Sequence, residues 1–144
     1  MRQGLLFEGK NVLLVEDELV VAEKVAQQLT ALGFSEVLSA TTLSQAHEIL
    51  DRQDVSIALL DVNLAAGETT IELGWALSGD NIPVVFISGF NAEDMARLTR
   101  GHEFMEKPIS LSRLKRALHR AMLRAPSQKQ TFGRKKMAGQ VARQ

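Results

Sequence analysis

Glu16, Asp17 and Glu18 form an unbroken acidic triplet, and Asp61, Ser88 and Lys107 follow further along the chain. The triplet, Asp61 and Ser88 each come directly after a short apolar run: Val12–Val15, Ile57–Leu60 and Val84–Ile87. Lys107, with Pro108 behind it, closes a more charged stretch. Taken singly, each has an ordinary explanation: acids at a helix start, a turn aspartate, a capping serine, a loop lysine. Taken together they do not. Two carboxylates such as Asp17 and Asp61 held about 5 Å apart repel by roughly 3 kcal/mol at an effective dielectric near 20. A helix N-terminus offsets only roughly 0.3–1 kcal/mol of that. A cation therefore belongs to the design, and oxygen ligands in a chain without cysteine favour Mg²⁺, with Mn²⁺ as the alternative. A carboxylate can also act as a nucleophile and form an aspartyl phosphate. Such a transfer needs charge neutralised on the phosphoryl oxygens more than it needs a general base. Lys107 and the Ser88 hydroxyl are suited to that. His47, His102 and His119 fall in helices or at an edge strand and read as structural or surface residues.

The elements that must position these groups follow from periodicity. The three apolar runs are continuous rather than alternating, as expected of strands buried on both faces of a parallel sheet. Glu36–Ala40 and His102–Glu106 read as short, charged edge strands. Val21, Val25, Leu29 and Leu32 make one helical stripe that Gly33 ends. Leu43, Ala46 and Leu50 make a second, within Leu43–Arg52. Glu68–Ser78 reads as a third helix with Trp75 in the core, and Ala92–Thr99 as a fourth. In a fifth, Leu111–Arg124, Leu111, Leu114, Leu118 and Met122 face inward while Arg113, Arg116 and Arg120 face out. Five βα units predict an α/β fold with a doubly wound parallel sheet. Ligands of such sheets bind beyond the carboxyl ends of the strands, where the acids, the serine and the lysine all fall.

Composition sets the class. At 45% hydrophobic and 24% charged residues the chain is of globular type, and its start has no apolar stretch long enough for a signal peptide. The longest apolar runs are far short of the roughly 20 residues of a membrane span. The expectation is a cytoplasmic protein with no membrane partner. The formal net charge of zero conceals an asymmetry, because five basic residues and no acid follow Pro126. The first 125 residues therefore carry a net charge near −5, which does not suit sequence-specific nucleic-acid binding by the folded part. Residues 1–10 read as an N-terminal extension, 11–125 as one domain, and 126–144 as a basic, disordered tail with no room for an output domain.

Four motifs in order, Val12-Leu-Leu-Val-Glu-Asp-Glu18, Leu59-Leu-Asp61-Val-Asn63-Leu, Phe86-Ile-Ser88-Gly89 and Glu106-Lys107-Pro108, resemble the receiver domains of bacterial two-component response regulators. The resemblance runs from about Asn11 to Arg124. It implies a flavodoxin-like sheet of five strands in the order 2-1-3-4-5 with five helices, and a domain of the stand-alone type. Asp61 would be the phosphoacceptor, Asp17 a direct metal ligand, Glu16 a ligand through water, and Asn63 a ligand through its backbone carbonyl. Ser88 and Lys107 would contact the phosphoryl group, the Lys107–Pro108 bond would be cis, and Phe104 would hold the family's aromatic switch position. Glu16 replaces the commoner Asp, and Leu64-Ala65-Ala66-Gly67 lacks the usual Met-Pro. The spacings from Asp61 to Ser88 and from Ser88 to Lys107 are short, which trims the third and fourth helices.

The implied function is a switch: a histidine kinase or histidine phosphotransfer protein donates the phosphoryl group, and a downstream protein target responds. A homodimer is compatible with this. The alternative is a small haloacid-dehalogenase-like phosphatase, which also uses a strand-end Asp, a Ser or Thr, a Lys and Mg²⁺. Such enzymes place their general-acid Asp two residues after the nucleophile, where this chain has Asn63. A nucleotide-binding module lacks its glycine-rich loop here, and a degenerate scaffold would not keep Glu16, Asp17, Asp61, Ser88 and Lys107 together.

Overall fold

Along each central strand, alternate residues enter two different cores. Val12, Leu14, Leu59, Val85 and Ile87 pack to one side, and Leu13, Val15, Ala58, Leu60 and Phe86 to the other. That two-sided burial is why the apolar runs are continuous. The computed structural model describes residues 6–90 and 92–124. Its strands are β1 Asn11–Val15, β2 Glu36–Ala40, β3 Ile57–Asp61, β4 Val84–Ser88 and β5 Glu103–Glu106. All neighbours pair in parallel in the order β2-β1-β3-β4-β5, with the two charged strands at the edges. The helices are α1 Leu19–Ala31, α2 Leu43–Arg52, α3 Ile71–Gly79, α4 Ala92–Met95 and α5 Leu111–Arg124. The fold is the flavodoxin-like one expected. The two trimmed helices are α3, of nine residues, and α4, a single turn that ends four residues before Thr99.

α1 and α5 cover one face of the sheet with Val25, Leu29, Leu114, Ala117, Leu118 and Ala121. α2 and α3 cover the other with Ala46, Ile71, Leu73 and Leu77. Gly33, at φ 111°, follows the end of α1 as its sequence position indicated, in a region that penalises any residue with a Cβ. Gly74 lies inside α3 for a different reason: a Cβ there would collide with the Phe86 ring of β4. Phe7, from the expected extension, is fully buried and stacks on Phe34.

Two packing expectations need correction. Trp75 is 48% exposed rather than core, because the small Gly74 and Leu77 take the inward positions of the short α3. Its indole N–H donates to the Leu98 carbonyl at 3.2 Å, tying α3 to the segment after α4. Leu111 is likewise exposed at the first residue of α5, and the buried stripe is completed by Ala117 and Ala121. Among the described residues no helix is long and apolar enough to cross a membrane. The stretch after Arg124, with the basic tail, lies outside the described residues.

Candidate functional site

β1 and β3 pair directly, Val15 opposite Leu60, so the residues that follow them leave the sheet side by side. Glu16 and Asp61 are both buried at this edge. Asp17 joins them, and carboxylate oxygens of Glu16, Asp17 and Asp61 lie within 4.8 Å of one another. Repulsion among three such groups is the cost foreseen from sequence, and Lys107 partly offsets it. β5 runs beside β4, and the Lys107 N–H donates to the Ser88 carbonyl at 2.8 Å, setting the lysine at the same end. The bond from Lys107 to Pro108 is cis. The Lys107 ammonium lies 3.1 Å from Asp61 Oδ2, 2.9 Å from Glu16 Oε1 and 3.3 Å from Glu18 Oε1.

This crowding shifts the two central groups in consistent directions. Burial, then the Glu16 charge, pushes Asp61 up to about 7, against the lowering effect of Lys107. Burial disfavours charge on Lys107 as well, but its close contacts with the Glu16 and Asp61 carboxylates outweigh it and raise its pKa above the ordinary value. Three carboxylates thus share one ammonium. Glu16 Oε1, fully buried, has only the nearby lysine charge and no aligned hydrogen bond. An oxygen-rich, cysteine-free set with an under-satisfied buried carboxylate fits a hard divalent cation.

The remaining groups stand around this cluster. Ser88, fully buried at the end of β4, accepts from the Phe90 N–H at 3.0 Å. Asn63 is exposed and pairs with Thr69 in an isolated antiparallel bridge that closes the turn after β3. Phe104 stands opposite Phe86 across the β4–β5 pair, partly buried against the α2–α3 core. The three histidines are elsewhere. His47 and His119 are exposed, and His102 sets its ring edge-on to Phe86 at 5.5 Å.

Glu18, offered by the sequence as the third acid of the triplet, shares Lys107 at 3.3 Å. Thr70 and Glu103 were not singled out from the sequence. The Thr70 hydroxyl donates to the Asp61 carbonyl at 2.9 Å and is fully buried, steadying the end of β3. Nothing in the sequence near Thr70 announces this. Glu103 on edge strand β5 is buried and ion-paired to Arg120 at 3.0 Å and Arg124 at 3.3 Å, both of which stay exposed as expected of the outer face of α5 while reaching over the strand.

Residues 12–119 match the family model for the response regulator receiver domain. Over 123 residues the chain is 32% identical to the phosphate regulon transcriptional regulatory protein PhoB of Pseudomonas aeruginosa, covering 78% of this chain and 53% of that protein. The aerobic respiration control protein ArcA of Escherichia coli is 31% identical over 84 residues, 58% of this chain and 34% of its own. The chain thus spans about half the length or less of these curated relatives. Among solved structures, the PhyR receiver domain of Erythrobacter litoralis superposes with a TM-score of 0.73 at 25% identity, covering 85% of this chain and 96% of that one. SdrG of Sphingomonas melonis superposes with a TM-score of 0.69 at 29% identity, covering 79% and 96%. With its fold, its strand-end cluster and a match over three quarters of its length all in agreement, the chain belongs to the receiver domain family of two-component response regulators.

Proposed function

We propose that this domain is a phosphorylation-dependent switch whose acceptor is Asp61. The observation that carries the reading is the convergence of Glu16, Asp17 and Asp61 with Lys107 at one end of the sheet. The donor is the phosphohistidine of a histidine kinase or phosphotransfer protein. An Asp61 carboxylate oxygen attacks phosphorus, a P–O bond forms, and the P–N bond to the donor imidazole breaks, returning the electron pair to the ring. Asp17, Asp61, the Asn63 carbonyl and, through water, Glu16 would hold a divalent cation, Mg²⁺ or Mn²⁺, which would supply the positive charge that keeps the carboxylates ionised and neutralises the phosphoryl oxygens. Lys107 is already within hydrogen-bond reach of Asp61 and exchanges carboxylate partners for a phosphoryl oxygen. Ser88 offers its hydroxyl to another.

The receiver family is a signalling family rather than one of turnover enzymes, which leaves the haloacid-dehalogenase-like phosphatase without support. Asn63, where that chemistry needs a general acid, points the same way. The readout is a change in binding to a downstream protein in the cytoplasm. Incubation with a small phosphodonor and Mg²⁺ should place a base-labile phosphoryl label on the wild type and none on Asp61→Asn. Undiminished labelling of that variant would remove Asp61 from its role.

A further inference from the structure

Asp17 is held by a group that no motif names. Its Oδ2 accepts from the main-chain N–H of Ala65 at 2.8 Å, 48 residues away. Ala65 opens the single 3-10 turn Ala65–Gly67, and the N–H at the start of a helical turn has no partner within the turn. The turn is built to present it. Leu64 is extended at φ −107°, ψ 169°, while Ala66 and Gly67 take positive φ of 63° and 78°. The Leu64 N–H donates back to the Glu68 carbonyl at 2.8 Å, closing the turn from the other side. An alanine at φ 63° is uncommon and costs energy that the surroundings must offset. A charge-assisted hydrogen bond to Asp17 is one such offset.

We propose that the Ala65 N–H is a positioning group for the divalent cation: it fixes the Asp17 carboxylate beside those of Glu16 and Asp61 and so raises metal affinity. Ligating carboxylates held by a neighbouring donor keep their orientation when the metal leaves, and loss of such a donor typically weakens binding about 10- to 100-fold. The inference rests on the metal reading above and does not depend on phosphorylation.

Ala65→Pro tests it. Leu64 already has the extended backbone required before proline, and the first position of a helical turn accepts proline. Mn²⁺ and Mg²⁺ titrations of the full chain should give a Kd for Ala65→Pro at least about tenfold weaker than wild type. Ala65→Ser, which keeps the N–H, should stay within about twofold of wild type, distinguishing the donor from a packing role. In the wild type, amide exchange at Ala65 should be slow and remain slow when Mg²⁺ is added, a measurement independent of how any variant folds. Equal affinities for wild type and Ala65→Pro would overturn the inference and leave the metal reading standing. Faster exchange at Ala65 on adding Mg²⁺ would do the same, by showing that the metal takes Asp17 away from the loop. A wild type that binds neither ion would overturn both.

Discussion

The Lys107 ammonium donates to Asp61 Oδ2 across 3.1 Å, joining the ends of strands that are two places apart in the sheet. Glu16, fully buried, leans on the same ammonium at 2.9 Å. Removing one partner from a buried ion pair strands the other, typically at a cost of about 3–5 kcal/mol. Lys107 keeps some contact with water, so Lys107→Ala should cost less, about 2–3 kcal/mol in metal-free buffer. Adding Mg²⁺ should recover part of that loss, because a divalent charge neutralises the same carboxylates. Urea midpoints with and without Mg²⁺ measure both; equal losses in the two buffers would separate Lys107 from the acidic cluster.

The pH dependence follows from Asp61. Its pKa in the folded chain is raised from 3.8 to about 7, first by burial and then by Glu16. The folded state therefore holds a proton that the unfolded chain releases, and stability contributed by this group is lost as pH rises from about 4 through 7. Metal-free wild type should accordingly lose stability across that window relative to Asp61→Asn, whose side chain does not titrate. The variant should be more stable than wild type by about 1–3 kcal/mol at pH 8, and the gap should close near pH 4. Chemical denaturation at both pH values in chelator is the measurement. A constant gap would mean that Asp61 does not titrate there.

Asp17→Ala removes a proposed ligand and one of the mutually repelling carboxylates, but also the acceptor of the Ala65 N–H. The last two effects oppose each other: the lost hydrogen bond costs about 1 kcal/mol, while the relieved repulsion is up to roughly 3 kcal/mol before Lys107 offsets part of it. Metal-free stability should therefore be unchanged or raised, while Mg²⁺ affinity falls steeply. A large loss of metal-free stability would make Asp17 a structural residue of the helix start.

Most of the cluster was legible because each member ends a strand, and parallel strands in a doubly wound sheet deliver their ends to one place. Glu16, Asp17, Asp61 and Lys107 needed only that rule. Contacts set by loop conformation or by side-chain reach were not legible. The Ala65 N–H depends on a positive φ at Ala66, a residue type that gives no hint of it. Trp75 was misplaced because a nine-residue helix with Gly74 pressed on Phe86 has too narrow an inward face for an indole. Glu103 reads as an exposed edge residue until Arg120 and Arg124 are brought over it by α5.

With Asp61 as the proposed acceptor, Ser88 is the proposed reporter of the phosphoryl group, its hydroxyl bonded to the loop that would move. It accepts from the Phe90 N–H at 3.0 Å, and a hydroxyl can donate its own proton while accepting another. Drawn toward a phosphoryl oxygen on Asp61, Ser88 would carry Gly89 and the exposed Phe90 with it. The space left beside β4 borders Phe86, and Phe104 stands opposite Phe86 on β5, only partly buried. A further inward turn of the Phe104 ring buries apolar surface at about 25 cal/mol per Å², enough to bias two states separated by a few kcal/mol. Such a movement would reach α4, whose following segment is tethered to Trp75 through the Leu98 carbonyl. Trp75 is the only tryptophan in the chain, so its emission reports the change without a partner. Phosphodonor with Mg²⁺ should shift Trp75 emission in the wild type. Ser88→Ala and Phe104→Ala should still take the label at Asp61, yet show at most about half of that shift and a weaker gain in affinity for the downstream protein. If both variants keep the full shift and the full gain, signalling leaves by a face that neither residue controls.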